Sequence, residues 1–299
     1  MKTSWRPSYS PPLYRGAEDR GPRGRHLVDA HVHIFPPEMV RARETYLERD
    51  ERFRALYSSP KARLATAEDV IAHMDESGIE LSIVFSFAFK DQGLCREVND
   101  YVLEVVQAHP GRMAGLACVS PRAEGARAEL ERCLDAGMRG CGELTPASGD
   151  ETEIASLAAI AGCLRERGLP LLVHCSEPVG HEYAGKGRFT PEACVKLARS
   201  YPGLTLIFSH LGGGLFLYEL MPEVRASLTY ALYDTAAVPF LYDPFVYKVA
   251  VSVTGAERLL YGTDYPLLLA KRYRQGLRTL PRRQRAAVSG GNARRVFGL

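Results

Sequence analysis

The chain has 299 residues, of which 46% are hydrophobic and 24% charged, with a formal charge of +3. That supplies a large core, and the length admits two ordinary domains or one α/β barrel. The mild charge, without a like-charge block or a basic, aromatic-rich stripe, argues against a nucleic-acid groove.

Residues 1–25 are rich in Pro, Gly, Arg and Tyr and lack periodicity. They read as an arm that wraps the body or a neighbouring subunit, and they contain no apolar stretch of a secretory signal. The longest strongly apolar run, LSIVFSFAF at 81–89, is far too short to span a bilayer. Seven cysteines are scattered with no C-x-x-C spacing. This predicts a cytoplasmic protein whose reduced thiols behave mostly as small buried hydrophobes.

From residue 26 onward, short apolar runs alternate with helical patterns. The predicted strands are HLVDAHVHI (26–34), IELSIVFSF (79–87), RMAGLACVS (112–120), MRGCGEL (138–144), LPLLVHC (169–175), LTLIFSH (204–210), RASLTY (225–230) and RLLYG (258–262). Most are continuous apolar stretches, as expected of parallel strands covered on both faces. Between them, Thr66 and Asp69 form the N-terminal signature of a helix that stops at Gly78. Further helices are predicted within 95–111, 121–137, 152–168 and 190–203, the last with Pro191 at its first position. Eight strands alternating with helices over about 270 residues predict a single (β/α)8 TIM barrel domain spanning 26–299. A doubly wound open sheet is the alternative, but no G-x-G-x-x-G follows an early strand.

Catalytic groups of such barrels sit at the C-terminal ends of the strands. His31 and His33 end the first predicted strand, and a two-residue period puts both on one face with Val32 opposite. Glu143 ends strand four, His174 strand five and His210 strand six, and Asp264 follows strand eight. Each alone has an ordinary explanation as a capped, hydrogen-bonded or turn residue. Six together at one end would cost several kcal/mol in desolvation unless something compensates. A divalent cation reverses that penalty, because it binds neutral His and anionic Asp or Glu. The donor set without thiolates suits zinc foremost, with manganese or iron as alternatives. By strand parity Cys175 points away from the barrel, whereas Cys141, two before Glu143, has the parity to face inward.

The segments VDAHVHIF, LVHC, IFSHLGGG, YGTDYP and GNARRVFGL resemble the amidohydrolase superfamily. More narrowly, they resemble the amidohydrolase-related branch that includes the aminocarboxymuconate-semialdehyde decarboxylases. The resemblance runs in order from about 27 to 299, leaving out the arm. It implies a distorted (β/α)8 barrel of the metal-dependent hydrolase type, with one or two divalent ions at its mouth. It implies that His31, His33 and Asp264 bind the deeper ion and that His174 is a further ligand. His210 would bind a second ion or act as a catalytic group, and Glu143 resembles the carboxylate that bridges two ions in some hydrolytic members.

Two reactions are open to such a site. Hydrolysis of an amide, ester or lactone of a small molecule comes first: Asp264 would act as base then acid, with His210 helping to polarise the carbonyl. The alternative is decarboxylation, in which His210 or Asp264 protonates a ring or enol carbon of a small carboxylated, possibly aromatic, substrate. That substrate needs a cationic partner, for which Lys90, Lys186 and Arg188 are candidates. His181, Tyr183 and Lys186 lie on a Gly-flanked loop above the expected site, where substrate contacts concentrate. By analogy with branch relatives the protein is expected to pair as a homodimer, with neither nucleic acid nor membrane as a partner.

Overall fold

The computed structural model describes residues 27–299, so the predicted arm at 1–25 lies outside the described residues. Eight parallel strands form the frame: β1 (Leu27–His33), β2 (Ile79–Phe85), β3 (Met113–Gly115), β4 (Cys141–Leu144), β5 (Leu171–Val173), β6 (Leu206–Phe208), β7 (Ala231–Asp234) and β8 (Leu259–Leu260). They pair in sequence order as two sheets, β1–β3 and β4–β8. Two seams join the sheets. The Ala117 amide donates to the Gly140 carbonyl at one, and the Ala30 amide donates to the Tyr261 carbonyl at the other (2.8 Å). The result is a distorted (β/α)8 barrel, as the alternating pattern predicted.

The barrel interior is filled by Val28, Ala30, Ile83, Leu116, Leu172, Ile207, Leu232 and Leu260, among others, with Ala293 and Phe297 of the C-terminal helix packed into the same cluster. A larger apolar layer lies between strands and helices and includes Val32, Cys141, Val173, Cys175 and Phe208. Val32 therefore faces the opposite side from Val28 and Ala30, although all three share a parity. A bulge explains this: between Asp29↔Ser82 and Val32↔Val84, β1 advances three residues while β2 advances two. The extra residue re-aims the side chains beyond it. Strand β4 does the same against β5, three residues against two, between Cys141 and Leu144. Cys141 consequently packs outward, which corrects the inward parity expected of it.

The helices begin and end where their caps dictate. After α1 (Pro37–Arg41), α2 (Arg43–Arg49) and α3 (Glu51–Tyr57) comes α4 (Ala67–Ser77), opened by the Thr66–Asp69 capping box and closed by left-handed Gly78. Next are α5 (Gln92–Ala108) and α6 (Ala126–Asp135). The helix expected over 152–168 is two, α7 (Glu151–Ser156) and α8 (Ala158–Arg167). The Ser156 hydroxyl bonds back to the Glu153 carbonyl (2.6 Å) beside the break. Helix α9 (Pro191–Ser200) starts at the proline as expected.

The predicted seventh strand is displaced. Pro222 and Glu223 open a short helix, Pro222–Ser227, and β7 begins only at Ala231. The real strand is anchored by a buried ion pair. Arg258 donates from both terminal nitrogens to Glu219 (2.7 Å each), Tyr233 donates its hydroxyl to the same carboxylate (2.6 Å), and the Arg258 Nε donates to the Ala231 carbonyl.

The α1–α3 insertion has no counterpart in the sequence reading. It is held over one side of the mouth by an aromatic cluster, with Phe53 5.3 Å from Phe89, 6.0 Å from Phe35 and 4.7 Å from Tyr57 between ring centres. The loop after β5 meets it at Gly185: a Cβ there would approach Leu56 Cδ2 to 2.5 Å. Among the described residues no helix is long and apolar enough to cross a membrane.

Removing one partner of a buried pair strands the other charge. Arg258→Ala is expected to lower the unfolding free energy by about 3–5 kcal/mol, read from urea titration of the purified protein.

Candidate metal centre

The bulge in β1 leaves His31 and His33 pointing together into the mouth. Their Nε2 atoms are 3.3 Å apart. Each ring is fixed through its other nitrogen, His33 Nδ1 by the Ser86 carbonyl (3.0 Å) and His31 Nδ1 by Asp234 Oδ2 (2.8 Å). Phe85 packs edge-on against both imidazoles, with ring centres 5.0 and 4.8 Å away. Asp264 follows β8, its amide donating to the His31 carbonyl (2.9 Å). Its Oδ1 lies 3.3 Å from His33 Nε2 and 3.8 Å from His31 Nε2.

The second half of the site comes from β4, β5 and β6. Glu143, buried on β4, spans the two halves. Its Oε2 is 3.7 and 3.8 Å from the Nε2 atoms of His31 and His33, while its Oε1 is 3.2 Å from His174 Nδ1. His210 donates from Nδ1 to the Cys175 carbonyl (3.1 Å), leaving Nε2 facing the centre. That atom is buried without a hydrogen-bond partner, 3.7 Å from Asp264 Oδ2. Both His210 (φ 56°) and Asp264 (φ 58°) adopt left-handed backbone, uncommon outside glycine although His and Asp enter it more readily than most. Such strained positions gather where the surrounding structure holds a side chain in a required place.

Two triads result, His31–His33–Asp264 and Glu143–His174–His210, each with donor atoms within 4.8 Å of one another. Donors held about 2.1 Å from a tetrahedral ion lie about 3.4 Å apart. The separations of 3.3–3.8 Å around His31, His33, Asp264 and Glu143 fit that requirement. The electrostatics agree. Burial opposes a charged ring at His31, but Asp234, Glu143 and Asp264 outweigh it and push its pKa up to about 10. At His210 burial is likewise outweighed, by Asp264, Glu143 and Asp234, giving about 9. Burial resists ionisation of Glu143 and Asp264, yet the imidazoles hold both below the usual carboxylate range. The cluster thus demands positive charge, which protons or a divalent cation can provide. With an unpartnered imidazole nitrogen and a His/Asp/Glu donor set, these residues fit such an ion.

The proposed substrate residues are placed differently. Lys90 is exposed and pairs with Glu51. Lys186 folds back on its own loop, donating to the His181 carbonyl (3.1 Å) and Glu182 (3.1 Å). His181 is exposed, and the Tyr183 hydroxyl donates to Glu177 (2.8 Å). Arg52 was not foreseen. Its Nη1 donates to the Ala88 carbonyl (3.0 Å) and to Thr145 Oγ1 (2.9 Å), so it stands where the segments after β2 and β4 meet. Tyr57 was not foreseen either. Burial, with the nearby charges of Asp264 and Glu143, raises its phenol far above the usual value. Both lie on α3, a seven-residue helix whose clearest sequence signal is the N-cap Asp50, bonded to the amides of Arg52 and Phe53.

Comparison with known proteins agrees with this fold. Over 254 residues the chain is 23% identical to the 2-amino-3-carboxymuconate-6-semialdehyde decarboxylase of Dictyostelium discoideum, spanning 73% of this chain and 70% of that protein. The fold is similar to that of 5-carboxyvanillate decarboxylase from Sphingomonas paucimobilis, with a TM-score of 0.75 at 19% identity over 92% of this chain and all of that one. It is also similar to a dihydroxybenzoic acid decarboxylase from a Polaromonas species, solved with manganese and 2-nitroresorcinol. There the TM-score is 0.68 at 19% identity, over 91% of this chain and 97% of that one. The amidohydrolase family matches residues 28–299, the whole barrel with its two triads, and the chain is a member of that family.

Proposed function

We propose that this amidohydrolase-family enzyme is a metal-dependent decarboxylase of small carboxylated aromatic or enol substrates. The sequence alone puts hydrolysis first. Decarboxylation is the better supported reading, because the similar proteins named above are decarboxylases. His31, His33 and Asp264 would hold the ion, joined by Glu143 or His174. A divalent cation bound there supplies a Lewis acid that draws electron density from a substrate oxygen.

The remaining work falls to side chains. Arg52 uses one nitrogen for its anchors and keeps the rest of its fork for the carboxylate of the substrate. Tyr57 and the phenylalanines around it wall off that side of the mouth from water. His210 Nε2 delivers a proton to the ring carbon bearing the carboxylate. The bond from that carbon to the carboxylate then breaks, its electron pair returns to the ring, and carbon dioxide leaves. A second reading rests on Glu143, whose two oxygens reach both triads as a carboxylate bridging two ions for hydrolysis would.

The test is turnover of a panel of hydroxylated aromatic carboxylates, including 5-carboxyvanillate and 2,6-dihydroxybenzoate, by the metal-loaded protein. Release of carbon dioxide that chelation abolishes and Mn2+ or Zn2+ restores is expected. Two ions per chain with ester, lactone or amide hydrolysis and no carbon dioxide would overturn the proposal. His210→Asn should lower kcat by about 10²–10⁴-fold while metal content, measured by elemental analysis, stays at the parent level. Arg52→Ala should raise KM about 10- to 100-fold, the loss of one charge-assisted interaction, with a smaller change in kcat.

A further inference from the structure

Asp234 ends β7, is fully buried, and ties three strands together. Its two oxygens have separate duties. Oδ1 accepts from the backbone amides of His210 and Ala236, both at 3.0 Å. Oδ2 accepts from Nδ1 of His31 at 2.8 Å. The first oxygen shapes the backbone at the β6 and β7 ends, and the second touches only the imidazole.

From this division we propose that Asp234 is a positioning residue that keeps the His31 proton on Nδ1, so that Nε2 presents its lone pair to the metal centre. The inference rests on the metal-binding reading of the site. An imidazole has one ring proton when neutral, and the partner of one nitrogen decides which nitrogen carries it. A carboxylate oxygen can only accept, so Nδ1 must donate. His33 and His210 have carbonyl oxygens, of Ser86 and Cys175, in the same role. Three imidazoles of the site thus have an acceptor behind Nδ1 and Nε2 in front, and His31 alone among them has a charged one.

Asp234→Asn separates the two duties. The amide oxygen still accepts from the His210 and Ala236 amides. The amide nitrogen replaces Oδ2 and donates to His31 Nδ1, driving the ring proton onto Nε2, where it blocks coordination. The full chain is freed of metal, and its dissociation constants for Mn2+ and Zn2+ are measured by chelator competition without substrate. Urea unfolding of the metal-free protein is followed alongside. Binding weakened by about 10- to 100-fold, with a urea midpoint no lower than that of the parent, is the expected result. Unchanged metal affinity would overturn the proposal, as would a loss of affinity that tracks a fall in metal-free stability, since Asp234 would then serve only the β6–β7 corner. A parent protein that binds neither ion removes the metal reading itself. A parent that binds both but releases no carbon dioxide removes only the proposed reaction.

Discussion

Charge compensation at the barrel mouth governs the rest of this structure. Glu143, Asp234 and Asp264 are brought beside His31, His33, His174 and His210 in a space largely closed to water. Unpaired ions in such a place would cost several kcal/mol each. The chain meets the requirement by giving nearly every polar atom a fixed partner and leaving a few donors turned toward one point. Ser86, Cys175 and Asp234 hold the backs of three imidazoles, and the fronts converge.

Convergence needs the strands to break their own rule. A regular strand cannot put Val28 and Ala30 in the barrel interior and also aim His31 and His33 at the mouth, because the two pairs have opposite parity. The extra residue in β1 resolves this, and β4 repeats the device beside Glu143. Left-handed backbone at His210 and Asp264 completes the set. A further register shift lies at the start of β1, between Leu27 and Val28, but the barrel interior stays packed with Ile83, Leu172, Ile207 and Leu260.

How much of this could be read from sequence depends on whether local pattern or distant contact decides. The parallel strands, the Thr66 cap and the Pro191 helix start follow from local chemistry and were legible. So was the grouping of His31, His33, Glu143, His174, His210 and Asp264, because each ends or follows an apolar run. Strand seven was misplaced since RASLTY imitates a strand, whereas Pro222 starts a helix there and the Glu219–Arg258 pair draws the strand to Ala231. Parity failed for Cys141 because β4 bulges just beyond it, and the one local mark of that bulge is Gly142, at φ 140°. Arg52 and Tyr57 escaped notice for a different reason. Their helix is short, and it is held in place by Phe35, Phe87 and Phe89, which are far from it in the chain.

The contact between Gly185 and Leu56 sets the loop after β5 against that helix, where a side chain at 185 would have to push aside the tip of Leu56. Gly185 also holds left-handed backbone (φ 92°), which side chains rarely adopt, so this point of the loop is constrained by its own turn as well as by its neighbour. Reshaping this wall of the mouth therefore starts more freely from Leu56, whose side chain can be trimmed or turned, than from the glycine that faces it.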